Sequence, residues 1–167
     1  TIEKVNGSSF AIHITNGWLV SSSIWFNTNW FSIWIKKIMN RIFCFGSSWT
    51  CHNWPTWANI IHKDMDIEVQ NWGLPGCGNV AMFYRMIQCD AINNFTDDDL
   101  ILVQWTSWTR EDRYLNNEWP PTGNILAQPK ESIYNVKFLK TYWSWENDII
   151  KNASSIIAAN KMFKLQN

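Results

Sequence analysis

From residue 40 onward, short runs of apolar residues alternate with longer stretches in which apolar residues recur every three to four positions. That alternation predicts an α/β fold with a parallel sheet covered on both faces. Asn40 to Phe45 is apolar at every position after Arg41, as expected of a strand buried on both sides. Trp54 to His62 has the spacing of a packed helix entered through Pro55, a residue tolerated in a first turn. Asp66 to Asn71 alternates acidic and apolar residues and predicts a strand nearer the sheet edge. After the loop Trp72 to Gly78, Asn79 is a good N-cap, and Val80, Phe83, Tyr84, Ile87 and Ala91 fall on one helical face. Leu100 to Trp105 is the most continuous apolar run in this part of the chain and predicts a central strand.

Thr106 to Asn124 is a long polar and aromatic loop, and in compact domains loops of that length are usually functional or disordered. Beyond Glu131, helical spacing returns at Ile133, Val136, Leu139 and Trp143, then at Ile149, Ile150, Ala153, Ile156 and Ile157. One long or broken helix is expected there, with a fourth strand starting at Phe163 to Leu165. Residues 1–38 show neither period cleanly and are expected to be an extension read in upstream of a natural start at Met39, with an interfacial anchor as the lesser alternative. Trp18 to Ile38 is apolar, but it carries Asn27, Asn29 and four serines and leads into Lys36-Lys37, so it fits neither a secretory signal nor a membrane span.

A chain of 167 residues supports one domain with a real core. Lys+Arg and Asp+Glu balance at 14 each with no basic face, which argues against nucleic acid as a partner. The four cysteines have irregular spacing without a Cys-x-x-Cys pair, so free thiols and a reducing, cytoplasmic compartment are expected. The three histidines have no metal-site spacing, and neither a metal nor another cofactor is indicated. Thirteen tryptophans are scattered along the chain; a broad apolar face with one N–H suits an amphipathic or sugar-binding cleft, although most such rings in one domain are core.

Four of the five glycines after Met39 fall in the two loops that follow the first two predicted strands, where backbone must turn sharply or approach a ligand closely. In the first of these loops, Phe45-Gly46-Ser47-Ser48-Trp49 puts Ser48 at the carboxyl edge of a sheet, where open α/β folds bind ligands. A plain helix cap is the competing reading of that serine pair.

Taken together, these residues resemble the SGNH, or GDSL-like, hydrolase family over roughly Met39 to Asn167. The resemblance implies a flavodoxin-like three-layer α/β/α sandwich whose last strand or strands are not included, and residues 39–167 as an incomplete domain of that kind. Phe45-Gly46-Ser47-Ser48-Trp49-Thr50 looks like the family's first block, which assigns the nucleophile to Ser48. Asn71-Trp72-Gly73-Leu74-Pro75-Gly76 looks like the second, whose later glycine, here Gly76, gives an N–H to the oxyanion hole beside that of Ser48. The third block departs from the family's Gly-x-Asn-Asp: Thr106-Ser107-Trp108-Thr109 stands there, leaving Thr106 or Ser107 as donor. The segment from Val103 to Arg110 does resemble a branch of the superfamily with a Trp-Thr-x-x-x-Arg sequence at this point.

No Asp-x-x-His block is found, and His52 and His62 have neither its spacing nor its late position, so the base is expected past Asn167 and the chain as it stands is expected to be nearly inactive. The implied activity is acyl transfer on a small or carbohydrate-linked ester. Trp49, Asn71, Trp105 and Trp108 are candidate substrate contacts, with Trp72 near the same edge, and Arg110 is a candidate fork for an anion; the bland reading makes Trp105 core and Arg110 a solvated partner of Glu111 and Asp112. A non-catalytic glycan- or ligand-binding domain on the same scaffold is the alternative. A nucleotide binder is weaker, because the first loop lacks a glycine-rich phosphate cradle. Nothing in the sequence fixes the oligomeric state.

Overall fold

A computed structural model describes residues 2–4, 10–13, 40–127, 132 and 134–165. Within them the chain is an α/β protein. Five strands, β1 (Ile2–Lys4), β2 (Phe10–His13), β3 (Arg41–Phe45), β4 (Glu68–Asn71) and β5 (Asp99–Val103), form one sheet in the order β1-β2-β5-β3-β4. β1 runs antiparallel to β2, whereas β2–β5, β5–β3 and β3–β4 are parallel pairs. The helices are α1 (Trp57–Asp64), α2 (Asn79–Asn93), α3 (Val136–Tyr142) and α4 (Trp145–Leu165). β1 and β2 come from the segment expected to be an extension; residues 5–9 and 14–39, with Met39 and the apolar stretch Trp18 to Ile38, lie outside the described residues.

The strand alternation of β3 sorts the core into two layers. Phe43 and Phe45 point to one face, with Val103 from β5, and pack under Ala81, Met82, Met86 and Cys89 of α2 and Ala159 of α4. Ile42 and Cys44 point to the other, with Leu100 and Leu102, and meet Ala58, Trp57 and Ile61 of α1. Each large apolar side chain removed from water in this way contributes roughly 1.5–3 kcal/mol. At the amino end of the sheet, the buried Asp99 accepts two bonds from Arg41, from Nε at 2.8 Å and Nη2 at 2.6 Å, and Arg41 Nη1 also donates to the Asn93 carbonyl at the end of α2. The last member of the acidic run at 97–99 therefore anchors β5 to β3.

Several expectations shift. The first helix begins at Trp57, after an N-cap at Thr56, because the Thr56 N–H donates to Asn59 Oδ1 at 2.9 Å and its hydroxyl to the Thr50 carbonyl at 2.6 Å, leaving Pro55 outside. α2 is rotated from the expected face: Ala81, Met82, Met86 and Cys89 are buried, while Tyr84, Ile87 and Ala91 are exposed. Small and flexible side chains fit closely against the aromatic rings of β3, and Tyr84 instead lies 5.6 Å from the Trp119 ring. Phe163 to Leu165 continues α4 and is not a strand; Phe163 packs toward Phe95 at 6.2 Å. The helical region does break, at Trp143 and Ser144.

Gly46, directly after β3, is required by close approach. A Cβ there would fall 1.9 Å from Thr50 Oγ1 and 2.9 Å from Thr50 Cβ. Thr50 cannot easily yield, since its side chain is fully buried and bonds Gln104 Oε1 at 3.0 Å. Gly46→Ala is therefore expected to lower the unfolding free energy by about 1–3 kcal/mol or more, read from the urea midpoint. An unchanged midpoint would show that the loop reshapes without cost.

Candidate functional site

The loops after β3, β4 and β5 leave from the carboxyl ends of parallel strands and are bonded to one another. Leu74 N–H donates to the Gly46 carbonyl at 2.9 Å, Asn71 Nδ2 to the Thr50 carbonyl at 2.7 Å, and Gln104 N–H to the Phe45 carbonyl at 2.9 Å. Thr50 is the hub of this rim. Its hydroxyl meets Gln104 Oε1, and Trp57 Nε1–H reaches both Gln104 Oε1 at 2.9 Å and Thr50 Oγ1 at 3.2 Å.

Ser48 sits on a single tight turn in which the Ser47 carbonyl accepts from Thr50 N–H at 2.9 Å and Cys51 N–H at 3.0 Å. Ser47 is buried, Ser48 half-buried and Trp49 exposed, so the turn offers the second serine and not the first. Among the described residues no hydrogen-bond partner is paired with the Ser48 hydroxyl. His52 lies in the loop, its Nδ1 accepting from Asn53 N–H at 2.8 Å and its ring stacked on Trp54 at 3.3 Å between centroids. His62 is exposed in the last turn of α1.

Gly76 holds φ +77° in the turn Leu74-Pro75-Gly76-Cys77, closed by Cys77 N–H to the Leu74 carbonyl at 3.2 Å, the arrangement that wants proline second and glycine third. The direction a Cβ would take is filled by Pro121 at 2.9 Å, and the Gly76 carbonyl accepts from Gly123 N–H at 2.8 Å. The far end of the long aromatic loop thus lies over this glycine. No acceptor among the described residues takes the Gly76 N–H.

The other site candidates divide by what already holds them. Both ends of the Asn71 amide are engaged, Nδ2 with Thr50 and Oδ1 with Gly73 N–H at 3.0 Å, so this side chain shapes the loop. Arg110 is not a solvated partner of its acidic neighbours, because its Nη1 donates to the Cys77 carbonyl at 2.8 Å. Glu111 is buried with Lys151 and Arg113 as ion partners. Trp108 lies 4.2 Å from Trp145, and Trp105 Nε1 is buried without a partner among the described residues. Trp72 packs beside Phe45 under Arg85. Thr106 is bound through its backbone to Asn79, and the Ser107 hydroxyl pairs with Thr109 Oγ1 at 2.8 Å.

Sequence reasoning missed a buried polar seam behind the loop. Asn79, expected as an N-cap, is the first residue of α2 and spends its amide elsewhere: Oδ1 accepts from Thr106 N–H at 2.8 Å, while Nδ2 donates to the Thr106 carbonyl at 3.1 Å and to Asn152 Oδ1 at 2.8 Å. The cap comes instead from Asp112, which accepts Gly78 N–H at 2.6 Å and Ala81 N–H at 3.0 Å across a separation of more than thirty residues. Burial pushes the Asp112 carboxyl up from 3.8, and the two N–H bonds pull it back. On α4 the fully buried Asp148 accepts Trp143 Nε1–H at 2.6 Å, and burial raises its carboxyl too. Asp148, Asn152, Ser155 and Ala159 follow helical spacing, and that polar stripe, not the isoleucine stripe, faces inward; Ile149, Ile150 and Ile157 are exposed.

Cys44, Cys77 and Cys89 are buried free thiols pushed up to about 12 by loss of solvation, which leaves them inert as nucleophiles. Among the described residues no group of three or more His, Cys, Asp or Glu could hold a metal ion, and no helix is long and apolar enough to cross a membrane. No protein-family model matches the chain, no curated protein matches it, and no solved structure matches it.

Proposed function

We propose that the chain carries the nucleophile end of an SGNH-type serine ester hydrolase on a flavodoxin-like three-layer scaffold, acting on a small or carbohydrate-linked ester. The observation that carries this reading is the half-buried Ser48, without a hydrogen-bond partner among the described residues, on a tight turn at the carboxyl end of β3, with the β4 and β5 loops bonded to that turn. In the proposed reaction Ser48 Oγ attacks the ester carbonyl carbon as a histidine takes its proton. The N–H groups of Ser48 and Gly76 hold the oxyanion, the alcohol departs with the returned proton, and water then hydrolyses the acyl-serine. Neither His52 nor His62 is paired with Ser48 among the described residues. Thr106 or Ser107 is the expected third donor; the Ser107 hydroxyl shares a hydrogen bond with Thr109 Oγ1 in which either can donate.

A second reading, a ligand-binding domain without catalysis, draws on the same rim: no base is paired with Ser48 among the described residues. Hydrolysis of p-nitrophenyl acetate by the full gene product, compared with Ser48→Ala, tests the first against the second. Turnover that disappears with the hydroxyl supports the hydrolase, and an unchanged rate removes Ser48 from the mechanism.

A further inference from the structure

We propose that Trp49, His52 and Trp54 form a stacking platform for the ring face of an uncharged sugar beside Ser48. Its role as the substrate's sugar subsite rests on the hydrolase reading; its existence as a binding surface does not. Of the tryptophans first considered for such a role, Trp72 and Trp105 pack against the core and Trp108 packs against Trp145. The first loop is different. Trp49 is 70% exposed and Trp54 55% exposed, although burial is worth more to an indole than to almost any other side chain. The His52 ring, inclined only 22° to the Trp54 ring, braces it from one side, so Trp54 is held in place while part of its surface stays in water.

The chemistry of the loop narrows the occupant. Between Arg41 and Lys63 the sequence has no Asp, Glu, Lys or Arg, so this stretch offers no Asp, Glu, Lys or Arg side chain to form an ion pair with a phosphate, a carboxylate or an ammonium group. The polar groups that accompany the rings are neutral. Asn53 is exposed, and because His52 Nδ1 accepts from the Asn53 N–H, the neutral imidazole carries its proton on Nε2 as a donor. Flat apolar faces flanked by uncharged hydrogen-bonding groups match a pyranose ring, whose C–H face is apolar and whose rim is hydroxyl.

The test uses the 167-residue chain, titrated calorimetrically with xylohexaose, chitohexaose and maltohexaose. Saturable binding of at least one is expected, weakened about ten-fold or more by Trp54→Ala and by Trp49→Ala and largely restored by Trp54→Phe. Circular dichroism superimposable on the parent confirms that each variant is folded. No saturable binding to any of the three sugars, or an affinity unchanged from the parent in both alanine variants, overturns the platform. Ser48-dependent ester turnover with tryptophan-independent sugar binding overturns the platform alone. Tryptophan-dependent sugar binding without Ser48-dependent turnover supports the platform while ending the hydrolase reading.

Discussion

Ser48→Ala in the full gene product is expected to lower the rate of p-nitrophenyl acetate hydrolysis by at least about three orders of magnitude. The hydroxyl is the bond-forming atom in the proposed reaction, so its removal leaves only what oxyanion donors and binding supply to attack by water. Stability should move little: the side chain is half-buried and no partner among the described residues is lost with it. A decrease of less than ten-fold, with the variant folded, would mean that the turnover arises elsewhere.

Asn79→Ala should have the largest effect on folding, lowering the unfolding free energy by about 3 kcal/mol or more. The substitution strands the Thr106 N–H, the Thr106 carbonyl and Asn152 Oδ1 in a buried seam, and each unsatisfied buried group costs roughly 1–3 kcal/mol. Asn79→Asp is a sharper probe because the shape is kept. Its Oδ1 can still accept from Thr106, but its second oxygen would face the Thr106 carbonyl and Asn152 Oδ1, all three of them acceptors. Urea denaturation of both variants checks this, and a midpoint shift within error for Asn79→Asp would show that the seam can reorganise.

Fold class was legible from the sequence because it rests on local signals. The run Ile42-Phe43-Cys44-Phe45 admits little except a strand buried on both faces, and the Leu100 run behaves the same way. Gly46 and the Pro75-Gly76 pair mark their turns through short-range sterics. What stayed hidden depends on distant partners. Asn79 looks like a cap until Asp112, 33 positions later, takes over that work and Asn152, 73 positions later, claims the amide.

The same limit explains α4. Isoleucines at helical spacing normally mark the buried side, yet here the inward stripe is Asp148, Asn152 and Ser155, affordable only because Trp143, Lys151 and the Trp108 carbonyl meet it. Its i, i+4, i+7 spacing was present in the sequence, but polarity alone gives no reason to bury it. At the candidate site, the tight turn at Ser48 followed from the loop's position after β3. The engagement of Asn71 and Arg110 with backbone carbonyls did not, since a hydrogen-bonding side chain reads identically whether it faces a ligand or its own chain.

Mass-spectrometric mapping after treatment of the full gene product with a fluorophosphonate probe addresses the chemistry of the rim most directly. A single phosphonyl adduct on the peptide containing Ser48, absent from Ser48→Ala, is the predicted result. An adduct on another serine, or none from a protein that still hydrolyses the ester, would contradict it.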